Sequence, residues 1–557
     1  MLKIKEVLSN NLTHKVFVAS LCLICFFLYF GSLNNNFVLD DTILIVKNPL
    51  IRSLKSLPLI FRSSLYDYSA ILLKPYTRMY RPLQLLTYSV DYRIWRLNPW
   101  GFHLSNVFLH LLNSILVYYL LLIIFKNNVL SQVVGLLFLV HPIHTSVVLY
   151  ISGRADLLVC FFMLLSMMMF LKFIKLKSKI CYAMSLVFAL LALFSRENAL
   201  ILFLFIILVL TITKAKFRDY LYVLPFMALD LIYILFRFSL FGSHAIDANF
   251  NFMPLSFQIL NFLNIIPRYL LLLAVPTNLY LFRTTPFITS LSDIRLLLVA
   301  AFTFLSIFLF IKYRKNKIAS FSILWFSIGI IPVFMVFNSY YYEFHQAMMA
   351  ESWQYIPSIG FFIAFSYILN KIGEDLGRLL IICFIIFYSF LTLVNNSFWK
   401  DNLALHKNIL EHTTEKSPFR VNLISYYIDN GFYKEALSEM NKFSIYNPDF
   451  PKLYYVWGIY YLTTGKLDAA IDNFNRDLSK NRASYLTCYC LSICYEKLNQ
   501  PAKAIEFALE SFKLNPLFLD NLIQLGKLYA KEGRPAEAKE YYNLAFEIDP
   551  LSGLIKK

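Results

Sequence analysis

The sequence has little charge and few of the residues that build metal or disulfide frameworks. Only 15% of its 557 residues are charged, and 34 acidic residues stand against 52 lysines and arginines. The eight cysteines do not form the paired Cys-x-x-Cys motifs that indicate a zinc site. Five of them lie in apolar segments, where cysteine behaves as a small apolar residue. Three others, Cys488, Cys490 and Cys494, share one predicted helix, which disfavours a disulfide among them.

Apolar residues are what the chain has in excess. They make up 58% of the sequence, aromatic residues make up 17%, and the mean hydropathy is +0.58, above the range of soluble domains. We therefore expect an all-α polytopic membrane bundle of eleven spans. The spans are predicted near residues 15–32, 103–125, 129–150, 157–171, 180–195, 198–213, 219–240, 293–311, 319–338, 356–371 and 378–395.

The first span is followed by no small-residue cleavage pattern, so we expect a retained anchor. A further apolar stretch, 258–282, is interrupted by polar residues and by Pro267 and Pro276. Those interruptions leave open whether it crosses the membrane.

The net charge of +18 is distributed as membrane topology predicts and not as nucleic-acid binding would require. Much of it lies in short loops between predicted spans, a pattern that marks the cytoplasmic side. The loop clusters are Lys172, Lys175, Lys177 and Lys179; Lys214, Lys216 and Arg218; and Lys312, Arg314, Lys315 and Lys317. All of them fall inside if the segment 258–282 only dips into the membrane or lies along its surface. In that arrangement the loop 33–102 and everything after residue 396 lie outside.

A different pattern begins after the last span. Four columns of residues recur every 34 positions, the period and composition of tetratricopeptide repeats, in which each unit is a helical hairpin. The columns are Tyr427, Tyr461, Tyr495 and Tyr529; Ala436, Ala470, Ala504 and Ala538; Gly431, Gly465, Asn499 and Gly533; and Asn447, Asn481, Asn515 and Asp549, with Pro448, Pro516 and Pro550 following three of these. We therefore expect a membrane domain over 1–400 and an α-solenoid over 401–557, with about four repeats from residue 417.

Two adjacent carboxylates, Asp40 and Asp41, follow the first span directly. Ionisable groups at membrane depth are costly and usually functional. Neighbouring like charges also raise each other's pKa, which suits a general base. The alternative is that an aspartate simply caps the helix that follows.

Further polar residues recur at the span ends that the predicted topology places on the outer side. Their common side favours a functional site over scattered caps and ion pairs. They are Arg81, His103, His110, His141, His144, Arg154, Asp156, Arg196, Glu197, Glu343, His345, Glu351 and Tyr355.

Several of these residues have a structural alternative. His141 and His144 have a spacing that can bind a metal, but the intervening proline and the lack of a third close ligand favour a structural pair. Arg154 with Asp156, and Arg196 with Glu197, can be ion pairs within their own motifs.

The order of the motifs resembles a known family. The sequence contains Phe-Val-Leu-Asp-Asp, Tyr-Arg-Pro-Leu, His-Pro-Ile-His-Thr, Gly-Arg-Ala-Asp, Ser-Arg-Glu-Asn and Tyr-Ile-Pro-Ser-Ile-Gly, followed by the repeats. Nearly the whole chain resembles the transmembrane and tetratricopeptide-repeat O-mannosyltransferases and their prokaryotic relatives, which are membrane glycosyltransferases of the C-type fold. It departs from the family in carrying Ser352 after Glu351, where the family usually has an arginine.

The resemblance implies transfer of a mannose-like sugar from a polyprenyl-phosphate carrier to an acceptor hydroxyl, with inversion. It makes Asp40 the general base, and Asp41 the residue that orients Asp40 or holds a divalent cation; metal dependence stays open. Arg81, Arg154, Arg196 and the histidines are expected to bind the donor phosphate, and the repeats to present a polypeptide acceptor. We expect a bacterial plasma membrane, with the site and the repeats on the periplasmic side.

Two other functions fit parts of the pattern. A transporter would need charges deep within the spans, on both sides, and an internal repeat among the spans, and the sequence shows neither. A non-catalytic assembly or secretion factor would use the repeats to recruit partners and would tolerate loss of Asp40 and Asp41.

Overall fold

The structure, a computed structural model, confirms the predicted all-α fold. It describes residues 11–65, 79–241, 254–281, 283–337, 346–413, 417, 419–448, 450, 452–480 and 484–548. Within these ranges the chain is almost entirely helical, and the exception is a two-stranded antiparallel ribbon. The predicted site residues Glu343 and His345, and the repeat positions Asn481, Asp549 and Pro550, lie outside the described residues.

The helices and strands are numbered in chain order. As far as the ribbon they are α1 Asn11–Tyr29, α2 Leu57–Ile60, α3 Pro82–Trp95, α4 Pro99–Phe125, α5 Asn128–Val140, α6 Thr145–Val148, α7 Arg154–Leu176, α8 Lys179–Ser195, α9 Leu202–Thr213, α10 Phe217–Tyr220, α11 Leu224–Phe241, α12 Leu255–Ala274 and β1 Arg283–Pro286. The remaining elements are α13 Arg295–Tyr313, α14 Lys317–Phe337, β2 Gln346–Met349, α15 Pro357–Ile372, α16 Glu374–Asn396, α17 Asn402–Glu411, α18 Arg420–Asp429, α19 Tyr433–Tyr446, α20 Leu453–Thr463, α21 Leu467–Lys480, α22 Tyr485–Lys497, α23 Pro501–Leu514, α24 Leu519–Lys531 and α25 Pro535–Ile548.

Short 3-10 turns, and one π turn at Thr42–Val46, connect several of these helices. The 3-10 turns are Gly31–Asn34, Pro49–Ile51, Leu54–Ser56, Pro142–His144, Ile151–Gly153, Glu197–Ile201, Leu221–Val223, Glu351–Gln354 and Ser397–Trp399.

The chain divides into two compact units. The first contains the residues up to Asn35 together with Asn98–Trp399. The second joins Asn36–Leu97 to Lys400–Lys557. The predicted outer loop is therefore grouped with the repeats and not with the membrane helices.

The first unit contains the apolar helices. Counting α1, the described chain has eight helices long and apolar enough to cross a membrane, one bent pair, and three shorter apolar helices. Each of the eleven predicted spans coincides with one of these segments. The additional segment is α12, the stretch whose crossing the sequence left open, and it forms a continuous helix through Pro267.

Lysines end three of these helices on the side predicted to be cytoplasmic. Lys126, Lys177 and Lys214 follow α4, α7 and α9, each with a left-handed backbone, φ between 52° and 55°. A left-handed residue satisfies the last carbonyl groups of a helix, and a positive charge is favourable at that end. Each of these lysines therefore ends its helix and also places a positive charge on the side predicted to be cytoplasmic.

The bent pair bends by 50° between Val140 and Pro142. Proline has no N–H to continue the helix, so α5 ends and a 3-10 turn begins. His141 fills the gap, because its Nδ1 accepts the N–H of Ile143 at 3.2 Å. The bend brings the His-Pro-Ile-His motif to one end of the bundle helices.

The repeats of the second unit explain their sequence columns. The four alanines are buried where the two helices of a hairpin cross. The turn column, including Asn499 in place of glycine, has a left-handed backbone in all four repeats, φ from 59° to 79°. Two tyrosines of the first column stack on an aromatic ring of the second helix of their own hairpin. Tyr529 stacks on Tyr541 with the ring centroids 5.6 Å apart, and Tyr495 stacks on Phe507 at 5.4 Å.

Gly360 provides a test of packing in the membrane bundle. A Cβ atom at this position of α15 would lie 2.7 Å from both the Phe326 nitrogen and the Ser322 oxygen, which are backbone atoms of α14. We expect Gly360→Val to force the helices apart and to cost about 1–3 kcal/mol. Thermal unfolding of the purified protein in detergent measures this loss. In the matched control, Gly31→Val, a Cβ meets nothing within 4 Å. Equal unfolding midpoints for the two variants would show that the helices are not in close contact.

Candidate active site

The acidic doublet lies in the second unit, at the start of a helical turn. The Asp41 side chain is 0% exposed, and its Oδ2 accepts the N–H of Val38 at 3.1 Å. It does not cap the turn that begins at Thr42, so the capping alternative does not describe it. Asp40, by contrast, is half-buried and keeps part of its surface exposed. The two carboxylates therefore have different environments although they are adjacent in sequence.

Arg81 is the predicted site residue nearest to the doublet in sequence. It precedes α3, whose first residue is Pro82, and it is half-buried. Its neighbour Tyr80 is buried, and the phenol donates to the carbonyl oxygen of Phe61 at 2.9 Å. Burial raises the pKa of Tyr80 to about 12, so this donor keeps its hydrogen at neutral pH. Tyr80 thus anchors the backbone next to Arg81.

The other described site residues belong to the first unit, where Arg154 is the most deeply buried cation. Its side chain is 1% exposed. Nε donates to Oδ1 of Asn106 at 2.7 Å, and Nη2 donates to the carbonyl oxygen of Phe102 at 2.9 Å. The Asn106 amide in turn donates to the carbonyl oxygens of Val148 and Tyr150, each at 3.2 Å. Asn106, which the sequence did not single out as a site residue, therefore connects Arg154 to α4 and to the turn before α7.

The acidic partners in this unit differ from those suggested by the motifs. Asp156 forms an ion pair with Arg196, which follows α8, and not with Arg154 two residues away. Glu197 lies 3.8 Å from Arg237 of α11. The suggested pairs Arg154–Asp156 and Arg196–Glu197 are therefore replaced by pairs between different helices. Residues one or two positions apart on a helix point to different faces, which is why neither suggested pair forms.

His110, His144 and Tyr355 form a buried aromatic and polar cluster. The Tyr355 hydroxyl lies 2.8 Å from Nδ1 of His110 and accepts from the amide of Asn113 at 3.2 Å. The Nε2 atom of His110 faces the carbonyl oxygen of Leu139 at 3.1 Å. A carbonyl only accepts, so this nitrogen carries the hydrogen, and Tyr355 donates to the other one. The cluster joins α4, α5 and the segment before α15.

His141 and His144 use their nitrogens within the protein in the same way. His141 donates from Nε2 to the carbonyl oxygen of Leu273 at 3.0 Å, while Nδ1 accepts from Ile143. His144 donates from Nδ1 to Phe138 at 2.8 Å, and its Nε2 lies 3.0 Å from the Ser358 hydroxyl. This is the geometry of structural histidines. Across the described ranges, no three His, Cys, Asp or Glu side chains come together in a group that could hold a metal ion. His103 is also buried, one turn before Asn106 on α4.

Glu351 has a cationic neighbour that the sequence did not indicate. The ribbon pairs Arg283 with Met349, and this register brings the Arg283 Nε to 3.5 Å from a Glu351 oxygen. The same oxygen accepts the N–H of Tyr280 at 2.8 Å, and the guanidinium lies over the Tyr280 ring at 4.2 Å. The arginine that the family carries next to this glutamate is absent at Ser352. Here Arg283, from the other strand, occupies the neighbourhood of the carboxylate.

Gln354, three residues after Glu351, is also polar and buried. Its side chain is 0% exposed, and neither amide atom has a hydrogen-bond partner among the described residues. Buried amides normally have partners. No sequence signal marked Gln354, because it lies between motif residues without belonging to the family pattern quoted above.

Burial dominates the titration of Glu351. It raises the pKa of this carboxyl from 4.5 to about 7, against the opposing effect of the Arg283 charge. The raised pKa means that the folded state favours the protonated acid. The corresponding stability is complete below pH 4.5 and is lost as the pH rises through about 7.

We therefore expect the unfolding midpoint of the wild-type protein to fall between pH 5 and pH 8 more steeply than that of Glu351→Gln, which cannot ionise and still accepts from Tyr280. Thermal unfolding in detergent at four pH values measures the slopes. The control is Glu374→Gln, at an exposed carboxylate, which should leave the wild-type slope unchanged. Equal slopes for Glu351→Gln and the wild type would show that the Glu351 carboxyl does not titrate in this range.

Comparisons with known proteins show which proteins this chain is similar to. The tetratricopeptide repeat family model matches residues 519–550, which are the last repeat. The chain is 40% identical over 141 residues to human protein O-mannosyl-transferase TMTC1, covering 25% of this chain and 16% of that protein. It is 24% identical over 423 residues to protein O-mannosyl-transferase F38B6.6 of Caenorhabditis elegans, covering 73% and 59%.

Other matches are shorter or confined to the repeats. Protein O-mannosyl-transferase Tmtc1 of Drosophila melanogaster is 29% identical over 195 residues, covering 35% of this chain and 23% of that protein. A crystal structure of MamA covers 27% of this chain and 86% of its own at 24% identity, with a TM-score of 0.24. The chain spans less than two thirds of the length of each of these three O-mannosyl-transferases. The apolar helices and these relatives indicate a multi-pass membrane protein, and the resemblance read from the motifs is confirmed: the chain is a homologue of the transmembrane and tetratricopeptide-repeat protein O-mannosyltransferases.

Proposed function

We propose that this chain is a membrane glycosyltransferase that moves a mannose-like sugar from a polyprenyl-phosphate carrier to a hydroxyl group of a protein. The similarity to proteins named protein O-mannosyl-transferases carries the proposal. In the reaction the acceptor oxygen attacks the anomeric carbon of the donor, and the bond from that carbon to the phosphate oxygen breaks. Polyprenyl phosphate leaves, the acceptor proton passes to a base, and a single displacement inverts the anomeric centre.

Asp40 is the base that we assign, with Asp41 as the residue that orients it. The difference in exposure supports this division, because the half-buried Asp40 can meet an acceptor from solvent. The fully buried Asp41 has its carboxylate on the backbone N–H of Val38 and fixes the turn from which Asp40 projects. Binding of a divalent cation by Asp41 is a further part of the hypothesis, and it rests on the family resemblance.

Exposure also separates the cations. In the first unit, we assign contact with the donor phosphate to Arg196 and Arg283, whose guanidinium groups keep some exposed surface. Arg81 also keeps exposed surface and belongs to the same unit as Asp40. Arg154 is buried and is bound to α4 through Asn106 and Phe102, so we assign it a structural role.

The remaining site residues of the first unit are the histidines and the residues of the segment after β2. The buried rings of His103, His110, His141 and His144, with Tyr355, are proposed to shape the wall of the donor site. Glu351 and the unpartnered amide of Gln354 are proposed to meet sugar hydroxyl groups, for which both side chains have acceptor atoms.

The repeats are proposed to dock the polypeptide acceptor. Tetratricopeptide arrays offer a concave surface for peptides, and half-buried aromatic side chains are available here. Trp457 stacks on Tyr461, and Tyr460 lies edge-on to Tyr433, within the first two hairpins.

Contacts inside the second unit support a common side for the loop and the repeats. The N–H of Asn36 donates to the carbonyl oxygen of Lys400 at 2.9 Å, and the N–H of Leu39 donates to Oδ1 of Asn402 at 3.0 Å. Lys47 of the loop also opposes the burial that raises the pKa of Asp429 in the first repeat. Chain segments that touch outside the membrane lie on one side of it, so the number of crossings between them is even.

The helical segments between residues 98 and 399 are odd in number. Among the described residues they are seven long helices, the bent pair and three shorter helices. An even number of crossings leaves an odd number of these segments that do not cross, and we propose that this number is one. We assign this exception to α12, in agreement with the positions of the basic loop clusters.

The contacts of α12 favour a position beside the ribbon over its whole length. Near its beginning, Asn261 donates to the Ile288 carbonyl at 2.9 Å and accepts the Ile288 N–H at 2.7 Å. Near its end, Tyr269 donates to the Ala350 carbonyl at 3.2 Å. Ile288 follows β1 and Ala350 follows β2, and paired strands lie on one side of the membrane. We propose that this side is the outer one, periplasmic if the membrane is bacterial.

Replacing Asp40 tests the catalytic assignment. Asp40→Asn removes the proton acceptor at nearly constant shape, and we expect transfer to fall by about 10²–10⁴-fold with an unchanged unfolding midpoint. The assay supplies polyprenyl-phosphate mannose and a peptide containing serine and threonine, and mass spectrometry detects the product. The matched control, Asp468→Asn, changes an exposed aspartate of the repeats and should keep full activity. Full activity of Asp40→Asn would exclude Asp40 as the base. No transfer by the wild type with any polyprenyl-phosphate sugar would favour an assembly factor.

Epitope tags test the topology. We expect tags after residue 557 and in the exposed turn at Asn278 to be accessible from one side of the membrane, and a tag at the exposed Lys216, before α11, from the other. Antibody access in right-side-out and inverted vesicles measures the sides. Tags at Asn278 and Lys216 on a common side would show that α12 crosses the membrane.

A further inference from the structure

The backbone immediately before Asp40 has an unusual conformation. Leu39 has φ of +48°, in the left-handed region that a leucine rarely adopts. For a residue with a Cβ this conformation is sterically unfavourable, and such conformations persist where surrounding contacts hold them. The conformation of Leu39 sets the direction in which Asp40 leaves the chain.

In the turn itself, the carbonyl groups of Val38 and Leu39 accept the N–H groups of Asp41 and Thr42 at 3.0 Å and 3.2 Å. Three further hydrogen bonds hold the segment from Asn36 to Asp41. Asp41 supplies one of them from within the segment, by accepting the N–H of Val38 at 3.1 Å. The other two come from the start of the C-terminal region. The Lys400 carbonyl accepts the N–H of Asn36, and Oδ1 of Asn402 accepts the N–H of Leu39 at 3.0 Å.

Of the two contacts from the C-terminal region, that of Asn402 reaches the left-handed residue itself. Asn402 is the first residue of α17, and the preceding Asp401 caps this helix by accepting the N–H of Ala404 at 2.9 Å. The helix start therefore holds the Asn402 backbone in place, and its side chain points one acceptor at Leu39. Leu39 directly precedes the helical residues Asp40 and Asp41; its carbonyl group accepts from Thr42 in that turn, whereas its N–H donates to Asn402.

We propose that Asn402 is a positioning residue for Asp40, acting through the backbone of Leu39. The proposal rests on the proposed function of Asp40 as the base. The segment that leads into the repeats then helps to set the geometry of proton transfer. The contact lies within the second compact unit and joins residues 363 positions apart.

Two substitutions at position 402 separate the acceptor atom from the shape of the side chain. Asn402→Leu keeps the volume and removes the acceptor, and we expect kcat to fall by 10-fold or more while KM for the donor changes by less than twofold. Asn402→Asp keeps an oxygen at the same place and should stay within threefold of the wild type. Asn430→Leu is the matched control, at an exposed asparagine of the first repeat, and should have wild-type activity.

A second-site change tests the mechanism. Glycine adopts positive φ without steric cost. Adding Leu39→Gly to Asn402→Leu should therefore raise the activity at least threefold above that of Asn402→Leu alone. A residue that only stabilises the fold would lower the yield and the unfolding midpoint. Its loss would not be rescued by removing a side chain at Leu39.

Hydrogen exchange of the peptide 36–41, followed by mass spectrometry, reports the contact without any enzymatic activity. We expect faster exchange in Asn402→Leu than in Asn402→Asp and the wild type. Faster exchange with an unchanged kcat would overturn the positioning role and leave the glycosyltransferase intact. Unchanged exchange in Asn402→Leu would overturn the contact itself. Two results would overturn the proposed function itself: no sugar transfer by the wild type, or retained activity of Asp40→Asn. The role of Asn402 would then fail as well, even if hydrogen exchange of the peptide 36–41 responds to Asn402→Leu.

Discussion

A polar group inside an apolar helix bundle must find its partner within the protein, and the first unit is organised around this constraint. The buried Arg154 guanidinium is satisfied by Asn106 and a backbone carbonyl, and Asp156 is satisfied by Arg196. Leaving one member of such a pair alone in a low-dielectric interior would be strongly destabilising. These bonds therefore determine how α4, α7 and α8 meet at the end of the bundle where the motif residues collect.

The same constraint divides the candidate residues into two kinds: those whose polar groups are bonded within the protein and those that keep exposed surface. Histidines whose nitrogens face backbone carbonyls hold the bends and turns, as His141 does at the break after α5. Residues such as Asp40, Arg81 and Arg283 keep exposed surface, and they are the ones that we propose to meet a substrate. Sequence reasoning did not separate the two kinds, because a polar residue in an apolar stretch has the same signature whether it binds a ligand or another helix.

Local patterns predicted the fold well. The 34-residue columns follow from contacts within each hairpin, and the left-handed turn at Asn499 shows why asparagine can replace glycine there. Apolar runs predicted the bundle helices for the same local reason. The interrupted apolar pattern left open whether α12 crosses the membrane, and Pro267 lies within a continuous helix there. Sequence reasoning could not foresee the partners of Glu351 and Asp156, because strand register and helix packing choose among several arginines at long range.

The division of the chain into units has a consequence for biosynthesis. Leu39 leaves the ribosome 363 residues before Asn402, which completes its hydrogen bonding. At about 5–20 residues per second, roughly 20–70 s of translation separate the two. During that interval the membrane helices can insert, while the amino-terminal loop waits on the far side without its C-terminal partner. The second unit is thus assembled last, and a nascent chain that stalls within the membrane domain would carry an exposed, incomplete loop that quality-control proteases can recognise.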